Sequence, residues 1–401
     1  MTLAAQKRRR RRLLFAAIAL GIGLGAALAV LEVVLRVAWS PPAQMAEFQQ
    51  KGLYCDLPSG NAGLVPGYRG TLQLTPAEPI TRIAIDSLGM RGPEPGEKRP
   101  GERRLLVVGD SMVFGYGVDE EQTFVRALER TVRSGDRAVT VGNGGISGLN
   151  SFETARRIGD LRPGFSPDAI VYCCYLGNDA FENRNTDVVV CGGLRFAGPN
   201  ARLMQRSMRA RWMARSRLCL WLEGWITVNA PTWSLLPDLV AAWPNPALDG
   251  FPGSPGQPRL DGCLFLDTTD ENAAWPAGAP AVLPRVLADF RSAFAAAKAA
   301  AEPLPIHLLV LPALCHCSDD EHAAGLRGAG FDPAGFQRGL IQRRLRTIAA
   351  ELDLPVLDAT PWLAAEADLP GLYLPDRGHL SARGHAVVAA HLAQELAPLW
   401  R

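Results

Sequence analysis

The chain has 401 residues, 48% of them hydrophobic, and its 42 Lys and Arg against 40 Asp and Glu leave a formal charge of +2. That length has room for one large domain or two ordinary ones with a sizeable core. A charge so nearly balanced does not suggest nucleic acid as a partner.

What charge there is lies unevenly. Lys7–Arg12 is a basic block, and from Leu13 to Leu31 no charge interrupts an apolar run, with Glu32 and Arg36 only at its end. A helix needs about 20 apolar residues to cross a bilayer. Residues 13–38 are therefore expected to form one N-terminal transmembrane anchor, behind a basic cytoplasmic segment at 1–12. The rest of the chain is then extracytoplasmic, or periplasmic if the source is a Gram-negative bacterium. A cleaved signal peptide with processing at Ala27-Leu28-Ala29 is the competing reading, although a cleavable apolar core runs only about 7–15 residues.

Residues 39–103, rich in Pro, Gly and charge, read as a linker and accessory segment with strand-like stretches at Thr71–Leu74 and Thr81–Ile85. A repeating pattern then starts. Arg104–Val108 reads as a buried strand, Glu121–Arg133 as an amphipathic helix, and Ala138–Val141 as a second strand. A helix opens at Ser151, capped by Asn150 or Ser151, and a third strand spans Ala169–Leu176. After about 100 residues the alternation resumes with helix Leu283–Ala300, strand Ile306–Leu311, helix Pro333–Glu351, strand Leu354–Leu357 and a last helix from Ser381 to about Leu396. Such alternation implies right-handed βαβ units and a mainly parallel sheet with helices on both faces. One α/β domain, 104–182 and 283–401, is thus interrupted by an insertion at 183–282.

The insertion reads as largely helical. Arg202, Arg206, Arg209, Arg211, Arg215 and Arg217 crowd one stretch of it, and it holds Trp212, Trp221, Trp225, Trp233, Trp243 and Trp275, six of the nine tryptophans. Arg with aromatics suits an anionic glycan or a lipid headgroup surface. The favoured expectation is plainer: a lid whose tryptophans pack on the main domain and whose arginines are solvated.

Outside the cytoplasm disulfides are permitted. Cys173 and Cys174 lie in an apolar run and read as buried thiols, while Cys55, Cys191, Cys219, Cys263 and the pair Cys315/Cys317 are candidates for bridging. Cys315-His316-Cys317 lacks a second ligand pair at zinc spacing, so no metal is expected.

The candidate chemistry begins where an apolar strand stops at Gly109-Asp110-Ser111. Far downstream, Asp376-Arg377-Gly378-His379 precedes the last helix. With that spacing, Asp376 can bind one imidazole nitrogen of His379 and hold the other as the base for Ser111, the division of labour in a Ser-His-Asp triad. Acyl transfer also needs oxyanion donors. Backbone N–H groups of Ser111 and Gly148, with the side-chain amide of Asn178, are the candidates, and Gly145 competes with Gly148. Asp110 is expected to brace the turn, His385 to pack inside the last helix, and Asp179 to order its loop.

Together Gly-Asp-Ser at 109–111, Asn143-x-x-x-x-Gly148, Gly177-Asn178-Asp179 and Asp376-x-x-His379 resemble, in order, the blocks of the SGNH (GDSL) hydrolase family. The likeness covers roughly 104–182 and 283–398. Asp86-Ser-Leu-Gly-Met-Arg-Gly92 behind an anchor also looks like what membrane-anchored members carry upstream. The resemblance implies a three-layer α/β/α sandwich of SGNH/flavodoxin-like type and acyl-serine chemistry without a metal or organic cofactor. The expected activity is a serine esterase that removes acetyl or other acyl groups from a carbohydrate or other ester. An O-acyltransferase for a polysaccharide is the first alternative, and an inert glycan-binding scaffold beside polysaccharide-assembly proteins the second.

Overall fold

The computed structural model describes residues 3–39, 52–73, 80–133, 138–183, 187–229, 264–272, 282–328 and 330–400. The chain opens with α1 (Leu3–Ala38), which holds a 30-residue stretch, Arg9–Ala38, long and apolar enough to cross a membrane. From Leu13 to Leu31 its apolar side chains are exposed, Phe15, Leu20 and Ile22 all about 70%, whereas Leu35 near its end is buried.

Two antiparallel hairpins follow, β1 (Tyr54–Asp56) with β2 (Ala62–Leu64) and β3 (Arg69–Leu72) with β4 (Thr81–Ala84). The expected strands at 71–74 and 81–85 are the halves of the second hairpin, shifted at one end; Leu74 lies outside the described residues. The α/β part then runs β5 (Arg103–Val108), α2 (Ser111–Phe114), α3 (Phe124–Val132), β6 (Val139–Asn143), α4 (Ser151–Phe165), β7 (Ala169–Tyr175) and α5 (Asp179–Glu182). In the insertion come β8 (Val188–Cys191), β9 (Leu194–Ala197), α6 (Gly198–Arg206), α7 (Met208–Arg215) and α8 (Arg217–Asn229). The remainder is α9 (Leu283–Ala301), β10 (Ile306–Leu311), α10 (Leu314–Cys317), α11 (Asp319–Gly328), α12 (Leu340–Glu351), β11 (Val356–Asp358), α13 (Thr360–Ala364) and α14 (Ala382–Glu395).

The central sheet has the order β11-β10-β7-β5-β6 with every pair parallel. Numbered along the chain within this sheet, that is 2-1-3-4-5, the flavodoxin-like doubly wound order. Period-2 alternation splits its side chains between two cores. Leu105, Val107 and Val171 face α3 and α14, whereas Leu106, Val108, Ile170 and Tyr172 face α4, α9 and α12. β7 is buried at all its positions because it pairs on both edges and is covered on both faces. The result is the three-layer α/β/α sandwich expected.

Two expectations need correction. The helix read as Glu121–Arg133 breaks at Thr123, whose backbone is extended and whose hydroxyl caps Arg126 N–H, so a 3-10 turn (Glu120–Gln122) precedes α3. The helix read as Pro333–Glu351 is likewise divided: Phe336 turns extended to pack against Phe265 and Phe331, and α12 starts only after Gly339 at φ +83°. The insertion is largely helical where described, as expected, with one hairpin ahead of its helices. Val188-Val189-Val190 and a Gly192-Gly193 turn with positive φ at both glycines form the β8–β9 hairpin, a signal present in the sequence.

Candidate active site

In a 2-1-3-4-5 sheet the winding reverses between the first and third strands, and ligands gather at the carboxyl ends there. Those strands are β5 and β7. Ser111 follows β5 directly. Gly109 allows the sharp turn: a Cβ on it would sit 2.4 Å from Val113 Cγ2 and 2.9 Å from Cys173 Cβ. Asp110 caps the following turn, its Oδ1 accepting Met112 N–H at 3.0 Å and its Oδ2 lying 3.3 Å from Ser111 Oγ. That is the bracing role expected of it.

The downstream loop arrives over the same point. His379 Nε2 lies 2.9 Å from Ser111 Oγ, and His379 Nδ1 lies 2.6 Å from Asp376 Oδ2. The second carboxylate oxygen, Oδ1, accepts the N–H groups of Gly378 and His379, both at 3.0 Å. Burial alone would push the Asp376 carboxyl up, but the hydrogen bond and charge of His379, together with those two N–H groups, outweigh it and hold Asp376 below its ordinary value. An ionised Asp376 fixes the imidazole so that Nε2 faces the serine. Tyr175 steadies the loop from beneath, donating its hydroxyl to Gly378 O at 2.9 Å, and the rings of Tyr116 and Tyr175 flank His379.

The oxyanion candidates separate by their partners. Gly145 N–H is already spent on Asn143 Oδ1 at 3.1 Å. Gly148 N–H makes no hydrogen bond among the described residues, and Gly148 sits at φ +77°, where an L side chain is strained. Ser111 N–H, in the first turn of α2, has no intrahelical acceptor. Asn178 lines the same cleft as His379, while its Nδ2 donates to Glu182 Oε1 at 3.1 Å and it also supports the charged form of Asp110. In this structure the amide is therefore held on its acidic neighbours.

Behind Ser111 the carboxyl oxygens of Asp110, Asp179 and Glu182 lie within 4.8 Å of one another. Burial raises all three, and their mutual repulsion adds to the rise at Asp179 and Glu182, so the cluster favours its protonated forms. Asp179 orders its loop, its Oδ2 accepting Tyr175 N–H at 3.0 Å and the Ser151 hydroxyl at 3.3 Å. His385 is an internal packing residue: its Nδ1 accepts Phe124 N–H at 3.1 Å, and burial pushes it down to about 3.

Two arginines were not singled out from the sequence. Arg91, 2% exposed, donates to four carbonyls: Phe114 (2.8 Å), Gly115 (2.6 Å), Val118 (2.7 Å) and Arg82 (3.0 Å). It ties the accessory segment to the turn leaving Ser111. Asp86 folds the same segment by accepting Leu88 and Met90 N–H groups. Arg195, from β9, pairs with Glu153 Oε2 at 2.6 Å and crowds the Gly148 turn; a Cβ on Gly148 would lie 2.9 Å from its Nη1. Arg91 lies within the Asp86–Gly92 stretch and Arg195 in no motif, but the contacts of neither are visible in sequence, since each acts across a long sequence separation.

Of the cysteines named as candidates for bridging, Cys55, Cys191, Cys219 and Cys317 are free thiols. Cys263 lies outside the described residues. His316 accepts Ala313 N–H on Nδ1, and Cys317 Sγ lies 3.4 Å from the Tyr373 hydroxyl, so this triplet is engaged locally.

A cleft of about 510 Å³ opens beside His379. Its apolar corner is Leu264, Leu314 and Cys315; its polar edge is Asn178, Glu321, Asp376 and Arg377. The side chains of His379 and Asp376 are 21% and 41% exposed, so water reaches the relay.

No family model and no curated protein matches the sequence. Solved structures do. A lipase/acylhydrolase from Enterococcus faecalis has 13% identity over 75% of this chain and 97% of its own, with a TM-score of 0.38. A member of the lipolytic protein G-D-S-L family from Veillonella parvula has 11% identity over 74% and 98%, TM-score 0.36. An acetyl xylan esterase from Geobacillus stearothermophilus has 13% over 73% and 94%, TM-score 0.34. Identities and TM-scores this low add no weight of their own, and the chemistry rests on the site.

Proposed function

We propose that the protein is a membrane-anchored serine esterase of the SGNH (GDSL) type. The observation that carries this reading is the continuous relay from Ser111 Oγ to His379 Nε2 (2.9 Å) and from His379 Nδ1 to Asp376 Oδ2 (2.6 Å). Ser111 Oγ attacks an ester carbonyl as its proton passes to His379 Nε2. The oxyanion forms against the N–H groups of Ser111 and Gly148, joined by the Asn178 amide once it turns away from Glu182. His379 then returns the proton to the departing alkoxide, leaving an acyl-serine. Water, deprotonated by His379, attacks that ester and releases the acid and free Ser111.

The cleft supports a small acyl group on a polyhydroxylated alcohol. Leu264, Leu314 and Cys315 offer an apolar corner, and Asn178, Glu321 and Arg377 offer hydroxyl partners beside it. We infer an acylated carbohydrate as substrate, acetyl the leading acyl group, and action on the extracytoplasmic side, since Lys7–Arg12 favours the cytoplasm. The exposure of His379 and Asp376 favours water over a sugar hydroxyl as acceptor, and an assembled relay disfavours an inert scaffold.

The test is hydrolysis of a chromogenic acetate ester and of an acetylated oligosaccharide by the full chain in detergent micelles, beside Ser111→Ala. Acetate release lost in the variant, with fluorophosphonate labelling of the parent alone, supports the reading. Absence of both turnover and labelling in the parent overturns it. Acetyl transfer to an added unacetylated oligosaccharide in preference to water replaces esterase with transferase.

A further inference from the structure

The insertion has a small core of its own, where Leu194 and Phe196 of β9 meet Met204, Ala210, Met213 and Leu220. It does not bring the described tryptophans onto the main domain as expected. Met208 is 82% exposed, Trp212 65%, Trp225 56%, and Trp221 and Leu222 40% each, all on α7 and α8. Trp233, Trp243 and Trp275 lie outside the described residues. Large apolar side chains gathered on consecutive helices mark a contact surface.

The location of that surface indicates what covers it. α8 starts against the end of α1. The Glu32 carboxylate accepts the backbone N–H groups of Arg217 (3.0 Å) and Leu218 (2.8 Å) and the Ser216 hydroxyl (2.8 Å). Arg36 donates to Arg215 O at 3.2 Å, and the Arg217 guanidinium lies 5.9 Å from the centre of the Trp39 ring. Glu32 thus supplies from α1 the cap that orphan N–H groups of a helix start require. It is also the first charge after the Leu13–Leu31 run, so it marks the depth where hydrocarbon gives way to headgroups. Residues 198–222 carry six arginines and no acid, and Trp with Arg is what an anionic interface selects.

We propose that α7 and α8 lie in the headgroup layer of an anionic bilayer as a second membrane contact, locked to the end of the anchor by Glu32. The inference rests on α1 spanning the membrane. Its consequence is mechanical: β9 belongs to the same unit and Arg195 reaches the Gly148 turn, so the cleft is held at a set height above the lipid.

The test uses the full chain labelled with 5-fluorotryptophan in vesicles of phosphatidylcholine and phosphatidylglycerol. The fluorine signals are assigned with Trp39→Phe, Trp212→Phe, Trp221→Phe and Trp225→Phe. The signals of Trp221 and Trp225 are expected to broaden with acyl-chain spin-labelled lipid and to resist an aqueous gadolinium chelate. Glu32→Ala should move them at least twofold toward the chelate. Broadening by the chelate alone overturns the proposal, and so does protection from both reagents, which signifies a protein partner or second copy. An unchanged pattern in pure phosphatidylcholine overturns the requirement for anionic lipid. Vesicle flotation after an alkaline carbonate wash reads the anchor separately: its loss overturns the spanning helix, whereas water-exposed tryptophans on a floating protein overturn only the second contact.

Discussion

His379 Nε2 lies 2.9 Å from Ser111 Oγ although 268 positions separate the two residues. The sheet order accounts for the meeting: β5 carries Ser111 at the switch point, and the loop before α14 crosses the same strand ends. Removing either partner strands the other. Ser111→Ala and His379→Ala are each expected to lower kcat by about three to six orders of magnitude, with the double variant little worse than either. Asp376→Asn should cost less, about two to three orders, because its partly exposed side chain leaves water to share its work. Steady-state kinetics with a chromogenic ester checks all three.

The Gly148 turn is the second place to probe. Gly148→Ala strains a backbone at φ +77° and pushes on Arg195. Its expected effect is a fall in kcat of about 10²–10³ with KM within a few fold, the pattern of a lost oxyanion donor. Arg195→Ala removes the crowding guanidinium and leaves Glu153 in a buried position without its cation. We expect a smaller kcat loss than for Gly148→Ala, and partial recovery in Arg195→Lys.

Arg91 binds three backbone carbonyls of the turn that leaves Ser111 and a fourth, that of Arg82, in β4. Arg91→Met fills similar volume but leaves those carbonyls short of a donor, at a cost of about 3–5 kcal/mol. A drop of several degrees in Tm together with a lower kcat is the expected pair. An unchanged kcat in the folded variant would show that the clamp holds the fold and not the nucleophile.

Two buried histidines contribute to the loss of stability in acid. Burial pushes His385 down to about 3 and His316 to about 4. The unfolded chain takes up protons at these sites near pH 6.5, before the folded chain does, so stability is full above that pH and is lost as pH falls toward the folded values. Each unit of difference is about 1.4 kcal/mol. His385→Asn, whose side-chain oxygen can accept the Phe124 N–H, should flatten the decline of Tm between about pH 7 and about pH 4.5.

Asp179 works in the opposite sense. Its carboxyl is raised well above the ordinary value by burial and by Asp110, so the folded chain keeps this proton to higher pH than the unfolded chain does. Stability at this site is lost as pH rises from the unfolded value through the folded one. Asp179→Asn keeps an acceptor for Tyr175 N–H and needs no proton. Its Tm is expected to exceed that of the parent most at alkaline pH, measured by calorimetry.

Local patterns were enough for much of this protein. Strand periodicity in Leu105–Val108 and Ala169–Tyr175, the caps at Asn150 and Ser381, and the apolar run Leu13–Leu31 are decided by neighbours in sequence, so the parallel sheet, the long apolar N-terminal helix and the Asp376/His379 pair were legible there. Ser111 was legible as a candidate because a glycine ends an apolar strand in front of it. Long-range contacts decided the rest. Whether Asn178 faces an oxyanion or Glu182, that Arg91 clamps the turn after Ser111, and that Arg195 reaches Gly148 all depend on side chains meeting across dozens of residues. The insertion shows the same limit most plainly. Its Arg and Trp content was visible, but only packing left Trp221 and Trp225 outside and only the approach of α1 gave α8 its cap, because burial and capping are properties of neighbours in space.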